Sequence, residues 1–487
     1  MNFKLAAGAV LLAMFSVAAP AHAQEQKLSP ETLQYARVNT PRVILEHVRV
    51  IDGTGAAAMD DRNVIVENGK IAAIAPGADA TAADGTTILD LRGRSVMPGI
   101  VGMHEHLFYI AVPTVEGQFA GMVLVPQMTF SAPRLYLANG VTTMRTTGSV
   151  EPYADLNLKR AIDRGELPGP HIDATGPYLE GANSFFIQMH ELANADEARG
   201  FVDYWADRGI TSFKAYMKIT RAELQAAIDE AHKRGLKITG HLCSVTYPEA
   251  AAMGIDDLEH GFFVNTQDDP DKKPDECSAE TGNYTLQHMD PNGAEAKQLF
   301  ATLIEHHVAV TSTLAVFENY LPGRPPLRQA VLDAMSPPAR EAYLYGRARP
   351  YPTPPGMDPV LIFQHDLALE HGFVQAGGLL LAGADPTGDG GVVPGFADQR
   401  ELELLVEAGF SPVEAIKIAT LNGAVYMGRE KQIGSIAAGK NADLVVVKGD
   451  PASKIADVEN VEIVFKDGVG YDSQKLLDSV RGRYGQY

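Results

Sequence analysis

A chain of 487 residues with 61 Asp and Glu against 41 Lys and Arg carries a formal net charge of −20. That balance disfavours nucleic acid and anionic membrane surfaces as partners, and otherwise keeps the protein soluble. The length suffices for one large domain with an accessory one. Two cysteines, Cys243 and Cys277, exclude a disulfide framework and leave one bridge open but unforced.

In chain order, residues 1–23 read as a signal peptide: Lys4, an apolar run over residues 5–17, and Ala21-His22-Ala23 as a small-residue cleavage site. The apolar run is too short to span a membrane, so a periplasmic or secreted protein without a membrane span is expected. Residues 24–97 hold short apolar runs such as Val43-Ile44-Leu45 and Asn63-Val64-Ile65-Val66, punctuated by glycine, which predict strands of a small β-rich domain. Residues 98–429 alternate strand-like and helical segments, the pattern of βα units around a parallel sheet and of an α/β fold of (β/α)8 TIM-like type. Residues 430–487 return to strand texture, with Asp443-Leu444-Val445-Val446-Val447 and Val461-Glu462-Ile463-Val464-Phe465.

Six scattered residues of the central region stand where strand-like segments end. Residues 97–103 run into His104-Glu105-His106, and strand alternation projects His104 and His106 to one face. Alone, two histidines one residue apart are a weak signal. Lys214 lies in the apolar segment 209–216, where a lysine is costly unless its charge is neutralised or matched. His241 ends residues 236–241, after a helical signal over residues 221–234; His260 follows residues 255–259, and Asp385 closes residues 379–385. In a (β/α)8 barrel, polar residues at the carboxyl ends of several strands meet at one catalytic mouth. His104, His106, Lys214, His241, His260 and Asp385 therefore form a candidate two-metal hydrolytic set. Of the remaining histidines, His171 and His190 come nearest to being exceptions.

Two polar, proline-rich segments, residues 264–293 and 318–358, interrupt the alternation. Loops of that length are commonly functional or mobile. They read either as surface insertions or as a lid or substrate wall, with Arg324, Arg328, Arg347 and Arg349 as candidate anchors for a substrate carboxylate.

Pro98-Gly99-Ile100-Val101-Gly102-Met103-His104-Glu105-His106, Phe213-Lys214-Ala215-Tyr216, Thr239-Gly240-His241, Leu258-Glu259-His260-Gly261 and Gly383-Ala384-Asp385, together with residues 419–424 and 434–446, carry a resemblance. With these motifs the chain resembles the metal-dependent amidohydrolases, in particular the dipeptidase-like branch of Xaa-Pro and Xaa-Arg dipeptidases and ochratoxinase. The resemblance implies that the two terminal β-rich pieces pair into one β-sandwich. It implies two divalent metal ions, zinc by preference, one held by His104, His106 and Asp385 and the other by His241 and His260. A carboxylated Lys214 would bridge them. Such a site hydrolyses a C–N bond through a metal-bridging hydroxide, with Asp385 as the catalytic proton acceptor and then donor. The implied substrate is a small molecule, a dipeptide or N-acyl amino acid. A non-peptide amide, urea, carbamate or lactone is the alternative, and a non-catalytic metal- or ligand-binding protein is the alternative of another class. Asp385 argues against the last, because a binder needs no proton shuttle. Self-association into a homo-oligomer stays open.

The chain departs from the branch at two places. Relatives carry a tyrosine two residues after the third histidine, where Cys243 stands here, and Tyr247 is either its replacement or a packing residue. Thr146 stands where an aspartate is usual. Tyr216, Tyr178 and His171 complete the candidate substrate-binding residues.

Overall fold

The computed structural model describes residues 28–485, apart from residues 82, 112–113, 116–117, 120–122, 126, 349–352 and 388–390. The expected signal peptide lies outside the described residues. The N-terminal region forms β1 (Ala36–Val38), β2 (Arg42–Val50), β3 (Met59–Glu67), β4 (Lys70–Pro76), β5 (Thr86–Asp90) and β6 (Arg94–Pro98). β2 is buried on both faces over Val43–Glu46 and alternates only beyond it, Val48 and Val50 pointing inward with the period of two of a half-buried strand.

The central region opens with β7 (Ile100–Glu105). Two short antiparallel pairs follow, β8 (Tyr109–Ala111) with β11 (Val123–Val125) and β9 (Thr114–Val115) with β10 (Gln118–Phe119). The remaining central strands are β12 (Val141–Thr146), β13 (His171–Ala174), β14 (Ser212–Ala215), β15 (Lys237–Gly240), β16 (Asp257–Glu259), β17 (Ala309–Ser312) and β18 (Leu380–Ala382). Helices such as Pro152–Asp163, Ala195–Ala206 and Arg221–Lys233 separate them. Local sequence sets the helix starts: Thr220 with Glu223, Thr246 with Glu249 and Ser411 with Glu414 each close a capping box, satisfying amide donors the first turn leaves orphaned.

These strands pair in parallel as two arcs, β13–β12–β7 and β14–β15–β16–β17–β18. The ladder does not close into one ring. Between β13 and β14 the chains meet at isolated bridges, Thr175 with Ser212 and Leu179 with Ala215. Between β18 and β7 the amides of Ala384 and Asp385 donate to His104 O. The physical reason at this second seam is close approach over irregular backbone. A Cβ on Gly383 would stand 2.3 Å from His104 N, and Asp385 turns left-handed at φ 47°.

The C-terminal strands β19 (Leu444–Lys448), β20 (Val461–Lys466) and β21 (Val469–Asp472) join the N-terminal ones in a single nine-stranded sheet, ordered β1-β21-β20-β19-β6-β2-β3-β4. It forks at β2, which pairs with β5 through Arg42–Glu46 and with β6 through Arg49 and Val50. His47, with φ 55°, lies at the fork. Val43, Leu45, Val64, Val96, Leu444 and Phe465 belong to a core of this sheet, separate from the larger core under the central strands and their helices.

Of the two interrupting segments, residues 264–293 fold back on the chain that follows β15. Cys243 and Cys277 form a disulfide with Cα atoms 4.8 Å apart. Thr266 Oγ1 donates to Cys243 O at 2.9 Å and Lys272 Nζ to Ser244 O at 2.7 Å. A bridge across 34 residues stabilises mainly by restricting the unfolded chain, by about 2–4 kcal/mol. The Cys243→Ser/Cys277→Ser double variant is expected to lose that amount in urea unfolding, with a denaturant slope no smaller than the parent's because its unfolded chain is less compact; an unshifted midpoint contradicts it. The second segment builds helices Gln329–Ala334 and Pro337–Ala348. Among the described residues no helix is long and apolar enough to cross a membrane.

Candidate metal centre

All six candidate residues meet where the parallel strands end. His104 Nε2 lies 3.1 Å from Lys214 Nζ and 3.6 Å from Asp385 Oδ1, and His106 Nε2 is 3.0 Å from Asp385 Oδ1. The ring of His260 stands 4.5 Å from those of His104 and His241. One ligand atom from each of His104, His260 and Asp385 falls within 4.8 Å of the other two. His104, His106, Lys214 and His260 are buried.

Regular strand geometry cannot by itself make this cluster. Glu259 points inward to His104, so the next residue of a continued strand would point away. His260 turns back inward because its φ is +70°, a conformation that costs an L-residue energy and recurs at functional sites. Gly261 follows at φ +56°, and a Cβ there would meet Glu370 Oε1 at 2.4 Å, so neither the backbone nor the space admits a side chain.

Behind the ligands lies a polar lattice of residues outside the six. His104 Nδ1 donates to Glu259 Oε2 at 2.6 Å, which leaves Nε2 as the lone-pair nitrogen facing Lys214 and Asp385. Glu259 Oε1 accepts from Arg145 Nη2 at 3.0 Å and from Thr239 Oγ1. Arg145 Nη2 also donates to Asp257 Oδ2 at 2.6 Å, and Nε to Met103 O at 2.8 Å. Tyr136 Oη donates to His106 O at 2.9 Å and accepts from His106 N at 3.1 Å. His260 Nδ1 meets Thr313 Oγ1 at 2.9 Å. A signal for part of this was present: Asp257 and Glu259 alternate on one strand face, and Arg145 interrupts an otherwise uncharged strand.

Electrostatics suit ligation. Burial, and then the Lys214 charge, hold His104 well below the usual imidazole range and lower His241 to about 3. Burial, reinforced by the other rings, does the same to His260. All three stay neutral near pH 7, the form that binds metal. Burial lowers Lys214 to about 8, bringing its neutral amine within reach. Burial raises the Asp385 carboxyl, but the hydrogen bond from His106 and the Lys214 charge help hold it below its usual range, so the group stays ionised. His106 Nδ1 and His260 Nε2 are buried with no hydrogen-bond partner. Neutral imidazoles gathered around an ionised carboxylate fit a divalent metal such as zinc.

The other expected residues divide. Tyr216 lies beside the cluster, its ring 4.9 Å from His241, and Tyr178 packs on Tyr216 at 5.0 Å with its ring 5.6 Å from Lys214 Nζ. Phe108, 4.4 Å from His106, and Phe317, 5.6 Å from His260, complete an aromatic surround. Tyr247 is instead fully buried, its hydroxyl on backbone carbonyls, so it is no pocket wall. His171 is also misplaced. It opens β13 while Ala174, not His171, is level with Thr146 at the far end of β12, about 10 Å along the strand. There it pairs with Asp467 at 3.0 Å. His190 pairs with Glu197 on the surface. Cys243 is in the disulfide, and Thr146 Oγ1 accepts from Thr175 N. Arg324 pairs with Glu318 and Glu407, Arg328 with Glu459, and Arg347 donates to the carbonyls of Pro325 and Gly323. Their charges are thus engaged within the chain; Arg349 lies outside the described residues.

Known proteins agree with this architecture. The imidazolonepropionase of Paenarthrobacter aurescens (strain TC1) is 24% identical over 417 residues, 82% of this chain and 89% of that protein. The structure of a putative prolidase from Bifidobacterium longum superposes with a TM-score of 0.63 at 24% identity, covering 91% of this chain and 99% of the other. Ochratoxinase of A. niger gives 0.61 at 16% identity, covering 89% and 96%. The description "Amidohydrolase family" matches residues 95–342 and 383–469, which contain every one of the six clustered residues. The chain therefore belongs to the metal-dependent amidohydrolases and is a hydrolase of that family.

Proposed function

We propose that the chain hydrolyses a C–N amide bond at a two-metal centre built from His104, His106, Lys214, His241, His260 and Asp385. The observation that carries this is the convergence of ligand atoms from His104, His260 and Asp385 within 4.8 Å of one another, with Lys214 Nζ 3.1 Å from His104 Nε2 and His106 Nε2 3.0 Å from Asp385 Oδ1. In this reading residues 98–429 form a (β/α)8 barrel whose two arcs the irregular seams complete. Residues 24–97 and 430–487 form a sandwich, supported by the fork at β2 and the separate core. Residues 1–23 direct the protein to the periplasm or the exterior, where the Cys243–Cys277 disulfide is stable.

His104, His106 and Asp385 would hold one zinc ion, and His241 and His260 the second, with a carboxylated Lys214 between. Bound divalent ions would supply an acidified water and a polarised substrate carbonyl. The chain's own residues do the rest. Glu259 fixes the tautomer of His104 through Nδ1, and Thr313 Oγ1 holds Nδ1 of His260 in place. Asp385, with 15% of its side chain exposed against 0–3% for His104, His106 and His260, is with the half-buried His241 the part of the set that solvent and substrate reach. Its carboxylate takes the proton of the attacking water and returns it to the leaving nitrogen.

Dipeptides and N-acyl amino acids are one substrate class. The aromatic surround of Phe108, Tyr178, Tyr216 and Phe317, with Arg324, Arg328 and Arg347 engaged elsewhere, favours a second: an apolar non-peptide amide, urea, carbamate or lactone. Turnover of aryl amides above dipeptides in a mixed panel would decide for it.

Elemental analysis tests the centre. Protein prepared with zinc and bicarbonate is expected to hold close to two metals per chain, and Lys214→Ala one or none, with activity partly restored by small carboxylic acids. Full activity of the parent with about one metal would sink the two-metal reading.

A further inference from the structure

We infer that Tyr247 is a positioning residue for His260, acting through its hydroxyl on the backbone that carries that ligand; the inference rests on the metal reading of the site. Its geometric basis is the left-handed turn at residues 259–261. A chain that leaves strand conformation to aim both Glu259 and His260 inward cannot keep its carbonyls in regular ladder positions. Tyr247 Oη stands 3.0 Å from Gly261 O and 3.2 Å from Glu259 O, so one donor is shared by the carbonyls on either side of His260.

The tyrosine is itself well fixed. It is fully buried and opens the helix Tyr247–Met253, whose start is held by the Thr246–Glu249 capping box and Pro248. Other groups hold the same turn from different sides. Gly261 N donates to Thr311 O at 2.9 Å, Phe262 N to Asp366 Oδ1 at 2.7 Å, and His260 Nδ1 meets Thr313 Oγ1. These leave Nε2 of His260 without a partner and the imidazole carried by a turn whose carbonyl side is tied to Tyr247. Removing the hydroxyl lets residues 259–261 relax toward ordinary strand geometry, which swings the imidazole away from Asp385.

Tyr247→Phe keeps the ring and deletes the tie. Groups that orient metal ligands from outside are worth about 10- to 100-fold in metal affinity when lost. The variant is expected to release one of two bound zinc ions about 10-fold faster than the parent against a chelator. Its cobalt-substituted absorption spectrum should change at the second equivalent, while its urea midpoint matches that of Tyr471→Phe, a buried tyrosine of the terminal sheet. Amide hydrogen exchange reads the tie without metal: residues 261–262 are expected to exchange about 10-fold faster in metal-free Tyr247→Phe. Unchanged exchange there overturns the inference, as do zinc release and a cobalt spectrum identical to the parent. A parent that binds no metal, combined with the faster exchange, would overturn the two-metal reading while supporting the tie.

Discussion

Asp385→Asn protein, loaded with metal, is expected to turn over its best substrate 10²- to 10⁴-fold more slowly than the parent, the usual worth of a positioned acid–base group. Three features make the substitution clean. Asparagine keeps an oxygen donor of the same reach. It also tolerates the left-handed backbone found at this position, φ 47°, better than most residues. The contact to lose is defined: Asp385 Oδ1 lies 3.0 Å from His106 Nε2 and 3.6 Å from His104 Nε2. An amide oxygen can occupy that place but cannot take up the proton of the attacking water. Metal content measured alongside the rate separates the two roles. Near-parental turnover by the metal-loaded variant would remove Asp385 from the proton path.

The largest effect on stability is expected at Arg145. Its guanidinium is almost wholly inaccessible and spans the interior from β12 to β16, with Asp257 at 2.6 Å and Glu259 at 3.0 Å. Arg145→Leu leaves two buried carboxylates without their cation, a change that costs about 3–5 kcal/mol. It also frees Glu259 from its partner, so His104 should hold metal less firmly. The lost stability is read from urea unfolding of metal-free protein. The triple variant Arg145→Leu/Asp257→Asn/Glu259→Gln is expected to recover part of it, since no uncompensated charge then remains. A loss below about 1 kcal/mol in the single variant would mean that the carboxylates are already satisfied without Arg145.

What could be read along the chain and what could not follow from one difference, between patterns of neighbours and meetings of distant groups. Alternating apolar residues in β2, β3 and β20, the capping boxes before Arg221–Lys233 and Tyr247–Met253, and the strand-end positions of His104, Lys214, His241, His260 and Asp385 are local. Period, propensity and hydrogen-bonding chemistry act within a few residues, so the parallel α/β alternation and the six candidate residues were legible from order alone. Family resemblance supplied their division between two metals.

Folding decided the rest, because it depends on which distant backbones come close. Tyr247 and Tyr216 are both tyrosines near strand ends; only packing puts one hydroxyl on the carbonyls flanking His260 and the other ring beside His241. His171 sits on β13, but at the end away from the cluster. Arg145 stands 112 and 114 residues before Asp257 and Glu259 yet forms one charge lattice with them. Arg324 and Arg328, which read as substrate anchors, are engaged by carboxylates from other segments, and Arg347 by carbonyls of its own. The sequence by itself determined which groups can do the chemistry. Tertiary structure determined which of them face the same point, since burial makes an unmatched charge costly and so selects the partners each one finds.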